Sequence, residues 1–296
     1  MKNFNLSLVA IFAMGTFAVA GGDIIVPVEE PAVESLVVAG VVGIGIGNQK
    51  ADSTDYISDG GATYEGFAKL SVPFLENFST QIDIQSEYYN IEGDGYAPLS
   101  TSALGLHLSY RDPSFGLIGA FYSMVDASVQ DSEGEGNSYL AGIEGQYYIN
   151  DMFTVYGQIG KGDITTDDDP EGFVDGKFWS VALRAFLFED TLVELSYSEA
   201  TTDQYIDGDD KGEFSGISAK VESKLMSSAP LYGFISYRSN KYDATTEGDE
   251  GTDKTLMVGL TYRFGVSSLR HNDRFGATLD QPMLPLRGAS FAEGLD

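Results

Sequence analysis

Residues 253–265, with the sequence DKTLMVGLTYRFG, alternate in character from one position to the next. Successive side chains of an extended strand point to opposite faces, so this alternation gives the strand two different faces. One face is apolar and ends in two aromatic rings, since it carries Leu256, Val258, Leu260, Tyr262 and Phe264. The other face is small or polar, since it carries Thr255, Met257, Gly259, Thr261 and Arg263. A soluble barrel hides its apolar residues inside, whereas this pattern predicts a strand with lipid outside and water or polar side chains inside.

The end of this strand resembles a known sequence signal. Gly259, Tyr262 and Phe264 are similar to the terminal-strand signal of bacterial outer-membrane β-barrels, the segment that their assembly machinery reads. The resemblance to this porin-like superfamily implies a place in the bacterial outer membrane, reached after export through the inner membrane. It also implies outer-membrane lipid and the barrel-assembly machinery as partners. In that family the aromatic residue usually ends the protein, whereas this chain continues to Asp296, so the resemblance covers residues 35–265 and not the tail.

The alternation continues through most of the chain, in runs bounded by clusters of Gly, Asp, Asn or Pro. These runs predict about twelve strands, near residues 35–48, 61–74, 79–90, 100–112, 115–128, 137–149, 153–164, 176–189, 191–204, 212–227, 231–244 and 253–265. The connections between them are alternately tight and long, and the long ones are 49–60, 91–99, 129–136, 165–175, 205–211 and 245–252. The predicted fold class is therefore all-β, a closed antiparallel transmembrane β-barrel of about twelve strands with long extracellular loops and short periplasmic turns.

The segments before the predicted barrel differ from it in composition. Residues 1–20 combine Lys2, an apolar run and Ala18-Val19-Ala20, which fits a signal peptide cleaved after Ala20. Residues 21–34 are rich in Pro, Glu and Gly and have no period, so we interpret them as a periplasmic leader. No later stretch has the ~18 consecutive apolar residues of a spanning helix, which excludes a helical membrane protein.

The segment after the predicted barrel, residues 266–296, is interpreted as a periplasmic C-terminal tail. It mixes basic, aromatic and aliphatic residues, and Pro282 and Pro285 prevent a long helix in it. The tail could fold into the barrel mouth, lie on the periplasmic rim, or bind a periplasmic partner or peptidoglycan. Disorder is the remaining alternative.

The overall charge excludes one class of partner. The formal net charge is −28 at pH 7, and the clustered Lys and Arg that bind nucleic-acid phosphates are absent. The acidic residues concentrate in the long loops, as in DITTDDDPEG and TEGDEGTD. Repeated carboxylates near Gly could bind calcium, but no loop reproduces the ligand spacing of a calcium-binding loop with its closing Glu. Solvated surface loops are the favoured interpretation.

The strand faces predict a charged interior. Its expected charged lining is Glu65, Lys69, Asp83, Glu87, His107, Arg111, Glu144, Arg184, Glu194, Lys220, Glu222, Lys224, Arg238 and Arg263. Such a face cannot be a dry core, because an unpaired buried ion costs several kcal/mol. The face could instead be the solvent side of a secreted sandwich, but the one-sided loop lengths and the aromatic residues at strand ends favour the barrel. The strand FGLIGAFYSMVDA is apolar on both faces, so its register is not assigned.

This interior suggests two functions. The acids and bases are nearly balanced, and a barrel of about twelve strands lies between those filled by side chains and those with a wide channel. We therefore expect an outer-membrane porin-like channel for passive diffusion of ions or small polar solutes. The alternative is a non-conducting surface protein, serving adhesion or envelope integrity, in which the same residues pair across the lumen and plug it.

Catalysis is not expected. The chain has no Cys and only two His residues, which nearly excludes metal sites, and no cofactor is expected. His107 and Ser109 are superficially like the His/Ser pairs of outer-membrane lipases, in which the imidazole deprotonates the hydroxyl. However, Leu106 and Leu108 take the lipid face, which places this pair in the lumen. No Asn or acid follows at a spacing that would orient the imidazole, so a hydrogen-bonded lumen histidine is the favoured interpretation.

Overall fold

The computed structural model describes residues 37–53, 60–92, 98–129, 135–166, 172–203, 211–244 and 249–282. The predicted signal peptide, the predicted leader, the tips of the acidic loops and residues 283–296 lie outside these ranges.

Within the described ranges, twelve strands form one antiparallel sheet that closes on itself. Each strand pairs with its neighbours in sequence, and β1 pairs with β12 to complete the barrel. The strands are β1 (Ala39–Ser53), β2 (Gly60–Leu75), β3 (Phe78–Glu92), β4 (Leu99–Asp112), β5 (Gly116–Val129), β6 (Glu135–Tyr148), β7 (Phe153–Thr166), β8 (Gly172–Phe188), β9 (Thr191–Thr202), β10 (Gly212–Lys224), β11 (Leu231–Ala244) and β12 (Asp249–Phe264). The predicted closed antiparallel barrel is therefore confirmed.

The two surfaces of the barrel are inverted relative to those of a soluble protein. On the outer surface, Ile44 and Ile159 leave 54% and 58% of their area exposed. On the inner surface, Asp83 and Glu87 each leave only 1% exposed. Hydrocarbon accepts apolar side chains but cannot satisfy polar ones, so the outer surface suits lipid and the inner surface does not.

Strand β5 acquires a definite register from its neighbours. Ile118 points outward with 66% of its area exposed, whereas Leu117 and Phe121 point inward with 5% exposed each. The ring of Phe121 lies 6.0 Å from that of His107 and 6.1 Å from that of Phe178. The second apolar face of β5 therefore packs against other side chains inside the barrel, which explains why both of its faces are apolar.

Strands β1 and β12 extend further toward the long-loop end than predicted. Strand β1 ends at Ser53 instead of near residue 48, and β12 begins at Asp249 instead of near residue 253. The two extensions pair with each other, as Asp52 does with Thr252 and Ser53 with Gly251. Backbone hydrogen bonds across the pair keep these polar residues extended without any apolar alternation.

The chain turns into the barrel after β12. Gly265 has a φ of +75°, and a Cβ at this position would lie 2.1 Å from the carbonyl oxygen of Val38, so the turn requires glycine. A short helix follows, α1 (Leu269–Phe275), whose first turn is capped by the Ser268 hydroxyl accepting from the backbone N–H of His271 at 3.0 Å. In the described part of the chain, no helix combines the length and the apolarity needed to cross a membrane.

The tail enters the barrel from the end that carries the short turns. Along the tail as far as Gln281, backbone and side-chain groups bond to residues on the inner face of the barrel. Gln281 itself contacts Ser123 on β5. The sequence left several locations for the tail, and residues 269–282 lie in the barrel mouth. This location differs from that of a tail wholly in the periplasm.

Candidate functional site

The candidate functional site is the interior of the barrel, where wall and tail meet. The charged residues predicted to line the lumen lie on the inner faces of their strands, namely Glu65 and Lys69 on β2, Asp83 and Glu87 on β3, His107 and Arg111 on β4, Glu144 on β6, Arg184 on β8, Glu194 on β9, Lys220, Glu222 and Lys224 on β10, Arg238 on β11, and Arg263 on β12. Some of these residues pair with one another, and others bind the tail.

Arg238 reaches across the lumen to Glu87. Its Nη2 donates to Glu87 Oε2 at 3.0 Å and to the Tyr89 hydroxyl at 2.8 Å. Strands β12, β1 and β2 lie between the strands that carry the two charges, so the ion pair spans the interior. This pair narrows the lumen at its level.

Arg263 and Glu222 form a second ion pair along the wall. The guanidinium donates twice from Nη2, at 2.8 Å to Oε1 and at 3.0 Å to Oε2 of Glu222. The hydroxyl of Thr261 donates to the same carboxylate at 2.7 Å, and Lys220 Nζ lies 3.6 Å from it. A buried carboxylate with this many donors has its charge compensated locally.

His107 is held between two carboxylates. Its Nδ1 lies 2.7 Å from Glu144 Oε1, and its Nε2 lies 3.1 Å from Asp83 Oδ2. The expectation that no acid orients this imidazole was wrong, because the acids come from β3 and β6 and not from the residues that follow His107 in sequence. Both ring nitrogens are engaged, and the Ser109 hydroxyl lies 3.0 Å from that of Ser79. The geometry is therefore that of a hydrogen-bonded lumen histidine and not of a Ser–His nucleophile pair.

Helix α1 closes much of the short-turn mouth. Leu269 is 2% exposed and packs in an apolar cluster with Phe186, Leu192 and Tyr232. Ion pairing fixes the start of the helix to the β8–β9 turn, where Arg270 Nη1 donates to Glu189 Oε1 at 2.9 Å.

Arg274 and Asp273 hold the end of α1. Arg274 Nη2 donates to the Asn150 carbonyl at 2.7 Å, and its guanidinium carbon lies 3.7 Å from the centre of the Tyr148 ring. The Thr154 hydroxyl donates to Asp273 Oδ2 at 2.6 Å. Polar and cation–π contacts thus secure the last turn of the helix.

Beyond α1, Thr278 accepts hydrogen bonds from three strands of the barrel wall. Its hydroxyl accepts from Arg111 Nη2 at 2.8 Å and from Gln146 Nε2 at 2.9 Å. Its carbonyl accepts from Arg184 Nη1 at 3.0 Å. These donors come from β4, β6 and β8, so one tail residue ties together a broad arc of the wall.

Leu279 combines an apolar contact with backbone bonds to the opposite arc. Its side chain is 1% exposed and packs with Leu117, Tyr156 and Ala182. Its carbonyl accepts from Lys69 Nζ and from Gln81 Nε2, each at 2.8 Å, and its N–H donates to Gln81 Oε1 at 3.2 Å. The tail backbone at this depth is therefore satisfied by β2 and β3.

Asp280 places its carboxylate between two bases of the wall. Oδ1 forms an ion pair with Lys69, and Oδ2 accepts from Arg184 Nη2 at 2.6 Å. Its carbonyl accepts from Gln158 at 2.7 Å, and its N–H donates to the Tyr156 hydroxyl at 3.1 Å. Burial raises the pKa of Asp280, but the charges of Lys69, Arg184 and Lys220 outweigh that effect and hold the pKa well below its ordinary value.

A cavity of about 210 Å³ remains beside the tail. It lies between the tail and the arc of wall that runs from β7 through β12 to β3, and it is large enough for several water molecules or a small solute. Its charged lining is Glu65, Lys69, Arg184, Glu194, Lys220, Glu222, Arg238, Arg263, Asp273 and Asp280. The interior is therefore neither a dry core nor an empty pore.

The sequence did not reveal the tail residues of this site. Thr278, Asp280 and Gln281 belong to no alternating segment, so no strand pattern assigns them to the lumen. The available signal was the polar pair Asp280-Gln281 after the last strand, together with Arg111 and Arg184, which the strand pattern places on the inner face. Those two residues required acceptors that their own strands do not supply in full.

A closed antiparallel barrel with an apolar exterior and a charged interior is the fold of bacterial outer-membrane β-barrel proteins. Among solved structures, an outer-membrane channel from Pseudomonas putida F1 is similar, with a TM-score of 0.56 and 11% sequence identity over 80% of this chain and 100% of that chain. The translocator domain of the autotransporter NalP from Neisseria meningitidis gives a TM-score of 0.46 and 10% identity, over 78% of this chain and 90% of that chain. At these identities the likeness concerns the fold alone. Comparisons with protein-family models and with curated proteins find no match.

Proposed function

We propose that the protein is a porin-like channel of the bacterial outer membrane, which passes ions or small polar solutes by diffusion and is held closed by its own tail. The observation that carries this proposal is the charged cavity of about 210 Å³ between the tail and the wall. A barrel that serves only as a scaffold has no need of an interior with ten charged groups around free space.

The wall and the tail contribute differently to this function. The wall is a closed ladder of backbone hydrogen bonds in which every strand pairs with two neighbours, so it is the rigid part. The tail is held by separate side-chain contacts, which can exchange with water. We therefore assign the gating motion to the tail and not to a change in the barrel.

The alternative is a non-conducting outer-membrane surface protein. The Arg238–Glu87 pair spans the lumen, and the tail fills much of the mouth, which favours a plugged barrel. In this alternative the loops serve adhesion or envelope integrity, and the interior serves stability. The two functions make opposite predictions for ionic current.

No catalysis and no cofactor form part of the proposal. Outer-membrane lipid and the barrel-assembly machinery are the proposed partners, and residues beyond 282 remain a proposed contact for a periplasmic partner.

Single-channel recording separates the two functions. We expect the purified mature protein in a planar bilayer to give discrete current steps, with long closed periods caused by the tail. Heat-unfolded protein in the same detergent is the control and should give no steps. Persistent absence of steps, in protein shown by circular dichroism to be folded, would contradict the channel and support the plugged barrel.

A further inference from the structure

We propose that Lys69, Arg184 and Lys220 form a binding site for a small carboxylate solute, and that Asp280 of the tail occupies this site as an internal substitute for that solute. The inference rests on the proposed channel function and names the solute class that this channel would accept. Four observations lead to it.

The first observation is that the three bases come from three different strands of the wall. Lys69 lies on β2, Arg184 on β8 and Lys220 on β10, and all three line the same cavity. Lys69 and Arg184 bind the two oxygens of one carboxylate, and Lys220, whose Nζ lies 3.6 Å from Glu222 Oε2, lines the same cavity. The rigid wall thus provides a site that receives a carboxylate from the lumen.

The second observation is that Lys69 depends on the tail. Among the described residues, the acceptors that bond to its ammonium group are the carbonyl of Leu279 and the carboxylate of Asp280. Asp83, which is opposite Lys69 across the β2–β3 pair, instead bonds to His107 and Gln81. When the tail withdraws, Lys69 loses both of these acceptors, so its ammonium group can bind another anion.

The third observation is the charge of the cavity wall. Its bases are Lys69, Arg184, Lys220, Arg238 and Arg263, whereas its wall acids are Glu65, Glu194 and Glu222. The tail supplies the remaining lining acids, Asp273 and Asp280. The lining therefore has equal numbers of acids and bases with the tail in place. Without the tail, bases outnumber acids even when Arg238 is left out because Glu87 neutralises it, so an open lumen would favour anions.

The fourth observation is that Asp280 can be reached from the cavity. Its side chain is 41% exposed, whereas those of Lys69 and Arg184 are 15% and 6% exposed. Asp280 covers the two bases, so a solute carboxylate in the cavity reaches them as the Asp280 side chain moves away. A carboxylate that competes with Asp280 would release the end of the tail. Because the coupling is reciprocal, release of the tail would increase the affinity for the carboxylate by the same factor.

The groups around Asp280 refine the class of solute. Gln158 donates to its backbone carbonyl, and the Tyr156 hydroxyl accepts from its backbone N–H. The same site therefore offers one donor and one acceptor beside the bases, which suits a carboxylate that also carries an amide or a hydroxyl group.

The test uses two probes that differ in one group, N-acetylaspartate amide and N-acetylasparagine amide. In single-channel recordings of the full mature chain, we expect the aspartate probe to raise the open probability about tenfold. We expect the asparagine probe to have no effect, since it lacks the carboxylate. Equal effects of both probes would overturn the inference.

Variants locate the effect. Asp280→Asn should raise the open probability without any probe, shift the reversal potential in a salt gradient toward anion preference, and lower the apparent dissociation constant of the aspartate probe about tenfold. Lys69→Gln combined with Lys220→Gln should abolish the response to the probe. Lys177→Gln removes the same charge from the exposed outer face and should leave the response unchanged.

The outcomes distinguish this inference from the channel itself. If Asp280→Asn conducts but prefers cations, or ignores the aspartate probe, the carboxylate site is wrong and the channel stands. If no variant conducts, the channel is wrong, and calorimetric titration of Asp280→Asn with the aspartate probe then tests the site by itself. Absence of binding in that titration would overturn the site as well.

Discussion

His107 shows how the interior satisfies buried charge residue by residue. Its two ring nitrogens lie 2.7 Å and 3.1 Å from carboxylate oxygens, and Glu144 also accepts from the Tyr156 hydroxyl at 2.8 Å. Removing one member of such a buried group leaves the others without compensation, and that penalty is larger than the value of an exposed ion pair. The cluster is therefore sensitive to single substitutions.

We expect His107→Gln to lower the free energy of unfolding by about 3–5 kcal/mol, because the buried carboxylates of Asp83 and Glu144 would lose the imidazole that they share. The measurement is urea-induced unfolding in detergent micelles. Ser109→Ala is the matched control on the same face of β4, and it should cost about 1 kcal/mol, since it removes one hydroxyl contact with Ser79. Similar losses for the two variants would show that the imidazole is not the centre of this cluster.

For single residues, the sequence predicted the strand face on which a side chain lies but not the side chains to which it bonds. The alternation of strand β4 places His107 inside, because side chains of a strand change face at every residue. Its acids lie on β3 and β6, and their approach depends on strand register and on the curvature that closes the barrel. Neither quantity is present in the spacing of residues along the chain.

Among the elements, β1 depends on glycine where it meets β2. Gly43 is directly opposite Phe67 in the β1–β2 pair, and a Cβ at Gly43 would lie 2.3 Å from the Phe67 ring. The aromatic ring thus takes the space that a side chain on β1 would fill. This contact helps to define the register of the strand pair that includes the start of the barrel.

We expect Gly43→Val to lower the free energy of unfolding by about 1–3 kcal/mol through overpacking against Phe67. The double variant Gly43→Val with Phe67→Ala should lose less than the sum of the two single losses, by about 1 kcal/mol, since the valine then enters the vacated space. Urea unfolding of the four proteins gives this cycle. Additive losses would contradict a direct contact between the two positions.

The strands and the tail also show where the alternation of apolar and polar residues no longer predicts the structure. This alternation located all twelve strands to within a few residues. The largest differences are at β1 and β12, whose extended ends are held by backbone pairing of polar residues, and at β8, which begins at Gly172 instead of near residue 176. The alternation could not assign β5, whose inner face is apolar because it packs against Phe178 and His107. The tail has no period, so its place in the lumen follows from the needs of Arg111, Arg184 and Lys69 for acceptors.

The whole molecule consists of a rigid wall and a tail that we propose can leave it. The wall is closed by the β1–β12 pair, and the tail enters through the short-turn mouth after the turn at Gly265. The central claim is that current flows only when the tail leaves its contacts with the wall. The deepest described contact is that of Gln281 with Ser123, where the hydroxyl donates to Oε1 at 2.6 Å.

The most direct measurement fixes this contact reversibly. The chain has no cysteine, so Ser123→Cys and Gln281→Cys can be introduced into the Asp280→Asn protein and joined by a short bifunctional methanethiosulfonate reagent. We predict that joined channels stay closed in a planar bilayer and that reduction restores the current steps, whereas either single cysteine variant conducts throughout. Equal current before and after reduction, in protein whose cross-link is confirmed by gel mobility, would contradict the claim that the tail closes the barrel.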